Sequence, residues 1–151
     1  MTDRIFFDTN TVVYLFDSSE KEKHFRINEL LSEYIGKISV CISSQVINEF
    51  ISITTGRIKN PIRFEKQKEI LKFLKIIFII SPLTVDTSLT AVDLKQKYRF
   101  SYWDSLILAS ALENACSLIY SEDMQHNQII EGKLRIINPF NKTVSIFRTD
   151  Q

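Results

Sequence analysis

The sequence predicts an α/β fold: a mainly parallel central sheet of about five strands with helices on both faces. Two observations carry this reading. The β-rich segments are nearly continuous apolar runs rather than alternating ones, as strands buried on both faces should be. Between them lie segments with helical spacing, the crossovers that parallel neighbours require. A chain of 151 residues, 44% apolar and 25% charged, is long enough for one sizeable core. One domain spanning residues 1–151 is the expectation.

The elements follow in chain order. Ile5 to Phe7 forms a short first strand, and Thr11 to Phe16 and Glu20 to Tyr34 have helical spacing. Lys37 to Ser44 is β-branched and apolar, bounded by Gly36 and by serines, and reads as the second strand. Gln45 to Ile53 carries apolar residues at Val46, Ile47, Phe50, Ile51 and Ile53, a helix that stops by Gly56. Arg63 to Leu74 is a charged amphipathic helix, and Ile76 to Pro82 reads as a buried third strand. Two helices follow, Thr84 to Tyr98 and Trp103 to Asn114, with Ala91, Leu94, Leu108 and Leu112 facing inward. Ser117 to Ser121 and Leu134 to Asn138 supply the fourth and fifth strands, the last closed by Pro139. The segment TVSIF near the C-terminus reads either as an edge strand or as a loose tail.

Several functions are excluded by composition. Three glycines, Gly36, Gly56 and Gly132, cannot assemble a phosphate-cradling loop or a dinucleotide fingerprint. No Gly-x-Ser-x-Gly elbow is present, and two histidines are too few for a histidine-rich metal centre. Cys41 and Cys116 lie in apolar runs without Cys-x-x-Cys spacing, so they read as reduced core residues. With 19 Lys and Arg against 18 Asp and Glu, the net charge of +1 creates no global field for a polyanion. The longest apolar run, Ile76 to Ile80, falls far short of a membrane span, and Asp3, Arg4 and Asp8 interrupt any signal-peptide pattern. A cytoplasmic protein without membrane contact is expected.

Carboxylates remain, and in parallel sheets ligands bind beyond the carboxyl ends of the strands. Asp8 directly follows the first strand, Glu49 lies in the second turn of the helix after the second strand, and Asp123 comes just after the fourth. Asp104 occupies the first turn of a helix whose N-terminus points toward the same rim if the crossovers are right-handed. Each has a local explanation as well. Asp8 suits a helix N-cap, Ser101 to Asp104 has the form of a capping box, Glu49 suits a polar helix stripe and Asp123 suits a turn. Thr9, Ser105 and Ser121 suit local caps in the same way. Taken together, four converging carboxylates raise one another's pKa, and a hard divalent cation relieves that repulsion. Without histidine or thiolate, the set favours Mg²⁺ or Mn²⁺ over zinc.

The segments FFDTNTVVYLFD, SSQVINEF, SYWDSLILASALENACSLIYSEDMQHNQII and LRIINPF together resemble the PIN domain family, especially its VapC-like toxins of bacterial toxin–antitoxin pairs. The resemblance runs from Ile5 to about Phe140 and implies a PIN-like three-layer fold. It implies a metal-dependent endoribonuclease using one or two Mg²⁺ or Mn²⁺ ions, with Asp8, Glu49, Asp104 and Asp123 as the acidic site. Thr9, Asn10, Ser105 and Ser121 match the polar positions that steady that site, Thr9 and Asn10 being expected to fix the Asp8 carboxylate. Hydrolysis would leave a 3′-hydroxyl and a 5′-phosphate. The implied substrate is tRNA or rRNA, and the implied partners are a cognate antitoxin and a second copy in a homodimer. Asn127 departs from the pattern, since many relatives carry glycine there.

Arg57, Lys59, Arg63, Lys66 and Lys68 form one basic group and Lys95, Lys97 and Arg99 a second, readable as RNA contacts or as solvated helix faces. Trp103 is expected in the core beside the site, and Tyr14, Phe16 and Phe25 offer an apolar surface for a partner. Three other readings compete. A haloacid-dehalogenase-like phosphatase needs a second aspartate where Asn10 stands. A non-catalytic PIN-like scaffold or binding module would leave the carboxylates idle. A housekeeping RNA- or DNA-processing nuclease would keep the chemistry and change the role.

Overall fold

A computed structural model describes residues 3–141. The chain runs β1 (Arg4–Phe7), α1 (Thr9–Tyr14), α2 (Lys21–Tyr34), β2 (Ser39–Ser43), α3 (Ser44–Gly56), α4 (Phe64–Ile77) and β3 (Ile79–Ser81). It continues through α5 (Val85–Tyr98), α6 (Tyr102–Glu113), β4 (Leu118–Tyr120), β5 (Ile129–Ile130) and β6 (Leu134–Ile137). The sheet has the order β3-β2-β1-β4-β6-β5, parallel throughout except for β5, which pairs antiparallel with β6. The expected α/β architecture is therefore present, with helices covering a mostly parallel sheet.

β1 is central because its sequence can go nowhere else: Ile5, Phe6 and Phe7 are all buried, one face after the other. Phe6 sits opposite Cys41 of β2 on one side and Ile119 of β4 on the other. Phe7 meets Phe78 and Tyr120 edge-on, with ring centroids 5.7 and 5.9 Å away. The chain moves outward from β1 to β2 and β3, then returns to the far side of β1 to form β4. This reversal opens a crevice beyond the carboxyl ends of β1 and β4, where such sheets hold ligands.

The structure corrects the sequence reading in several places. Among the described residues six strands form, the extra one being the two-residue β5, too short to show a pattern of its own. The third strand begins at Ile79, because Ile76 and Ile77 complete the last turn of α4. It is an edge strand rather than a buried one, with Ile79 exposed and Ile76 before it 81% exposed. α1 starts two residues earlier than its apolar spacing suggests, since Asp8 caps it. The TVSIF segment lies outside the described residues. Among the described residues no helix is long and apolar enough to cross a membrane.

Asn127 has φ 70°, in the left-handed region that glycine and asparagine tolerate best. The departure at Asn127 is therefore one that the backbone conformation accommodates.

Beneath the crevice, the hydroxyls of Tyr34 and Tyr120 share a hydrogen bond of 2.6 Å, both rings being almost fully buried. Replacing Tyr120 by Phe strands the Tyr34 hydroxyl in the core. The expected loss is about 1–2 kcal/mol of stability, measured by chemical denaturation.

Candidate metal-binding active site

The crevice brings together most of the residues singled out in the sequence. Asp8, Glu49, Asp104 and Asp123 line one cleft of about 160 Å³, together with Thr9 and Asn10. They come from four segments: the end of β1, the second turn of α3, the first turn of α6 and the loop after β4.

Asp8 is the deepest of the four, 7% exposed at the carboxyl end of β1. Its backbone N–H donates to the Tyr120 carbonyl at 3.1 Å, so the strand ladder itself places it. Its Oδ1 accepts from the Thr9 backbone N–H at 2.7 Å and its Oδ2 accepts from the Ser121 hydroxyl at 2.7 Å. Asp8 is thus both the N-cap of α1 and a member of the cleft, so neither explanation excludes the other. Burial pushes its carboxyl up to about 6, the two hydrogen bonds pull the other way, and Asp104 and Asp123 raise it further. Asp104 is half-buried and also raised, first by desolvation and then by the charge of Asp123.

The remaining polar contacts differ from expectation. The Thr9 hydroxyl donates to Glu49 Oε1 at 3.0 Å, and Asn10 Nδ2 donates to Asp123 Oδ2 at 2.8 Å. Neither side chain touches Asp8; they steady its neighbours instead. Ser121 does hold Asp8. Ser105 touches none of the carboxylates: it is buried and donates to the Ser101 carbonyl at 2.8 Å, tightening the first turn of α6. Ser101 Oγ accepts from the Asp104 backbone N–H at 3.1 Å, which caps that turn and leaves the Asp104 carboxylate to the cleft.

Among the described residues no Lys, Arg or His pairs with any of the four carboxylates; the ion pairs lie elsewhere. The donor set is purely hard oxygen, which suits Mg²⁺ or Mn²⁺ and suits zinc poorly. No three of these side chains stand close enough to hold an ion as arranged. The fit therefore lies in the donor chemistry and in the presence of all four acids on one cleft.

Three features escaped the sequence reading. Trp103, expected in the core, is 63% exposed and lines the cleft, because residue 102 takes the inward position at the start of α6. Gln45 also lines the cleft; its position four residues before Glu49, on the same helical face, was the available signal. Finally, the Glu122 carboxylate accepts hydrogen bonds from the Tyr14 hydroxyl and from Lys23, the latter at 2.7 Å. Burial, followed by the bond to Glu122, pushes the Tyr14 hydroxyl up to about 12. This cluster ties the loop carrying Asp123 to α1 and α2.

Tyr14 is therefore spent on an internal contact, and Phe16 packs edge-on against Phe50 and Phe73. Of the three aromatics expected to face a partner, Phe25 alone is broadly exposed, at 68%. The two basic groups are exposed, and within them Lys66 pairs with Glu69 and Lys97 with Glu131.

A mostly parallel α/β sheet with four carboxylates on a cleft beyond its central strands defines the class: a fold with an acidic, oxygen-donor site at its topological switch point. The model of the PIN domain matches residues 5–131, and the chain belongs to the PIN domain family. Among solved structures, a toxin–antitoxin complex from Klebsiella pneumoniae is similar, with a TM-score of 0.66 and 19% identity over 90% of this chain and 98% of that chain. The sarcin-ricin loop cleaving toxin VapC20 of Mycobacterium tuberculosis has a TM-score of 0.61 and 15% identity over 78% of this chain and 88% of its own. FitAB bound to an IR36 DNA fragment has a TM-score of 0.65 and 15% identity, covering 89% and 94%. At these identities the likeness is one of fold. No curated protein matches the sequence.

The raised pKa of Asp8 has a consequence for stability. Its carboxyl is neutral in both folded and unfolded chains below about pH 3.8, and stability is lost as pH rises through about 6. Asp8→Asn removes this penalty. In EDTA at pH 7.5 the variant should be more stable than wild type by on the order of 2 kcal/mol. The gap should close as pH falls toward 4, and denaturation curves at a series of pH values measure it.

Proposed function

We propose that the chain is a metal-dependent endoribonuclease, the toxin of a toxin–antitoxin pair that cuts tRNA or rRNA. The carrying observation is the convergence of Asp8, Glu49, Asp104 and Asp123 on one cleft with no cationic side chain paired to them among the described residues. Such uncompensated charge is costly unless a cation shares it. Membership of the PIN domain family and likeness in fold to toxins of toxin–antitoxin complexes support the same reading.

In this reading Asp8 and Asp104 would hold Mg²⁺ or Mn²⁺ directly, Glu49 would be a ligand or position water, and Asp123 would hold a second or weaker metal through water. The bound cation supplies a lowered water pKa and offsets charge developing on the phosphodiester. The chain's own residues do the placing. Thr9 N–H and the Ser121 hydroxyl orient both Asp8 oxygens, while the Thr9 hydroxyl and the Asn10 amide orient Glu49 and Asp123. Ile53 and Ile107 supply the apolar part of the cleft wall. The proposal includes a cognate antitoxin, a homodimer and a cytoplasmic location. For the homodimer, support comes from Val85, Leu89 and Val92, an exposed apolar stripe along α5.

The test is cleavage of a total small-RNA pool with Mn²⁺, with Mg²⁺ and with EDTA. Discrete, metal-requiring fragments are expected from wild type. Asp8→Asn and Asp104→Asn should each lower the rate on the order of a hundredfold or more. Equal patterns from wild type and Asp8→Asn would mean a contaminating nuclease, and no cleavage with either metal would favour the scaffold reading.

A further inference from the structure

We infer that Trp103 and Gln45 form a nucleobase subsite beside the acidic cleft, resting on the reading of that cleft as a ribonuclease centre. The indole stacks on a base of single-stranded RNA, and Gln45 accepts a hydrogen bond from that base's amino group.

Trp103 is the only tryptophan in the chain, and it is 63% exposed on the wall of the cleft, next to Asp104. A large apolar ring at such a place buries area only when something covers it. It is nevertheless held in position. The ring of Tyr102 meets it edge-on, centroids 5.5 Å apart at 72°, and Tyr102 is itself fixed by a 2.9 Å hydrogen bond to Ser88. An exposed, prepositioned aromatic face one residue from a carboxylate of the cleft is the arrangement that stacks bases without pairing them.

Gln45 supplies the second, independent observation. It is 5% exposed, lines the same cleft, and its Nε2 donates to the Trp103 carbonyl at 3.1 Å. A carbonyl can only accept, so this bond decides which end of the amide is which: Nε2 faces Trp103 and Oε1 faces away. Oε1 is the one buried side-chain nitrogen or oxygen without a partner among the described residues. Buried acceptors left unpaired are rare and call for a donor. Of the other polar side chains lining the cleft, four are carboxylates, which accept when ionised, and the Thr9 hydroxyl and Asn10 amide already donate to Glu49 and Asp123. The donor therefore comes from outside the chain. Gln45 and Trp103 line the same cleft and are joined through the Trp103 carbonyl, which sets the amide beside the residue that carries the indole. Adenine, cytosine and guanine offer an exocyclic amine, whereas the N3–H of uracil is flanked by two carbonyl acceptors that would face the carboxylates of the cleft, so uracil should be disfavoured.

The single tryptophan makes the test direct. Six-nucleotide homopolymers of A, C, G and U are titrated against the full chain in EDTA while tryptophan emission is followed, with deoxy versions in parallel. Saturable quenching is expected, stronger for at least one amino-bearing base than for U, and retained with the deoxy oligomers. Anisotropy of a labelled hexamer should show binding to Trp103→Leu weakened roughly tenfold, and to Trp103→Phe by less. Gln45→Met should keep the quenching and erase the preference against U. No quenching, together with unchanged hexamer binding by Trp103→Leu, overturns the subsite. A preference lost in the deoxy series assigns the donor to the 2′-hydroxyl and overturns the role given to the base. Cleavage assayed alongside separates the two readings. Metal-dependent cleavage without quenching leaves the nuclease and removes the subsite, whereas quenching without cleavage leaves the subsite and removes the nuclease.

Discussion

The burial of one anion, Asp8, is the constraint on which the rest of the structure depends. A carboxylate out of water at the end of a central strand is unfavourable, and desolvation dominates its ionisation. Two things offset that cost: hydrogen bonds from Thr9 and Ser121, and a position at the open end of the sheet. The Thr9 bond is local, but the Ser121 bond requires β4 to lie beside β1 in the observed register, Phe7 opposite Tyr120. A slip of one residue would turn the strand's side chains to opposite faces and carry Ser121 away from Asp8.

α1 then acts as a bracket across the crevice, although it is only six residues long. Thr9 reaches Glu49 of α3, Thr11 bonds the Tyr120 carbonyl at 3.1 Å, Asn10 reaches Asp123, and Tyr14, one turn further on, bonds Glu122. The outer end of the bracket is reinforced by Lys23, which pairs with Glu122 and lies over the rings of Tyr14 and Phe140. One short helix therefore sets the positions of three of the four carboxylates. The fourth, Asp104, is set separately by the cap at Ser101.

The cleft is graded in depth. Asp8 is buried, Asp104 and Glu49 are partly covered and Asp123 is exposed. Trp103 stands open on the wall. A site with a dry floor and an open rim admits one group of a large polymer to the carboxylates while the rest of that polymer stays in water. It would enclose a small molecule poorly.

The architecture was legible in the sequence because buried parallel strands and amphipathic helices leave different periods in the pattern of apolar residues. That pattern located β1, β2, β4 and β6 and every helix, and placing acids at strand ends picked out Asp8, Glu49, Asp104 and Asp123. It misassigned Ile76 and Ile77, since an apolar run looks alike in a buried strand and in the last turn of a helix. It could not see β5, two residues long, or decide that Tyr102 rather than Trp103 turns inward at the start of α6. Local sequence by itself determined which residues are candidates for chemistry and which segments become strands and helices, because periodicity and capping are properties of neighbours along the chain. Only the tertiary structure decided that Thr9 serves Glu49, that Asn10 serves Asp123 and that Gln45 holds Trp103. Those pairings join residues 40, 113 and 58 positions apart, and only the packed sheet, not any local preference, brings them within hydrogen-bonding distance.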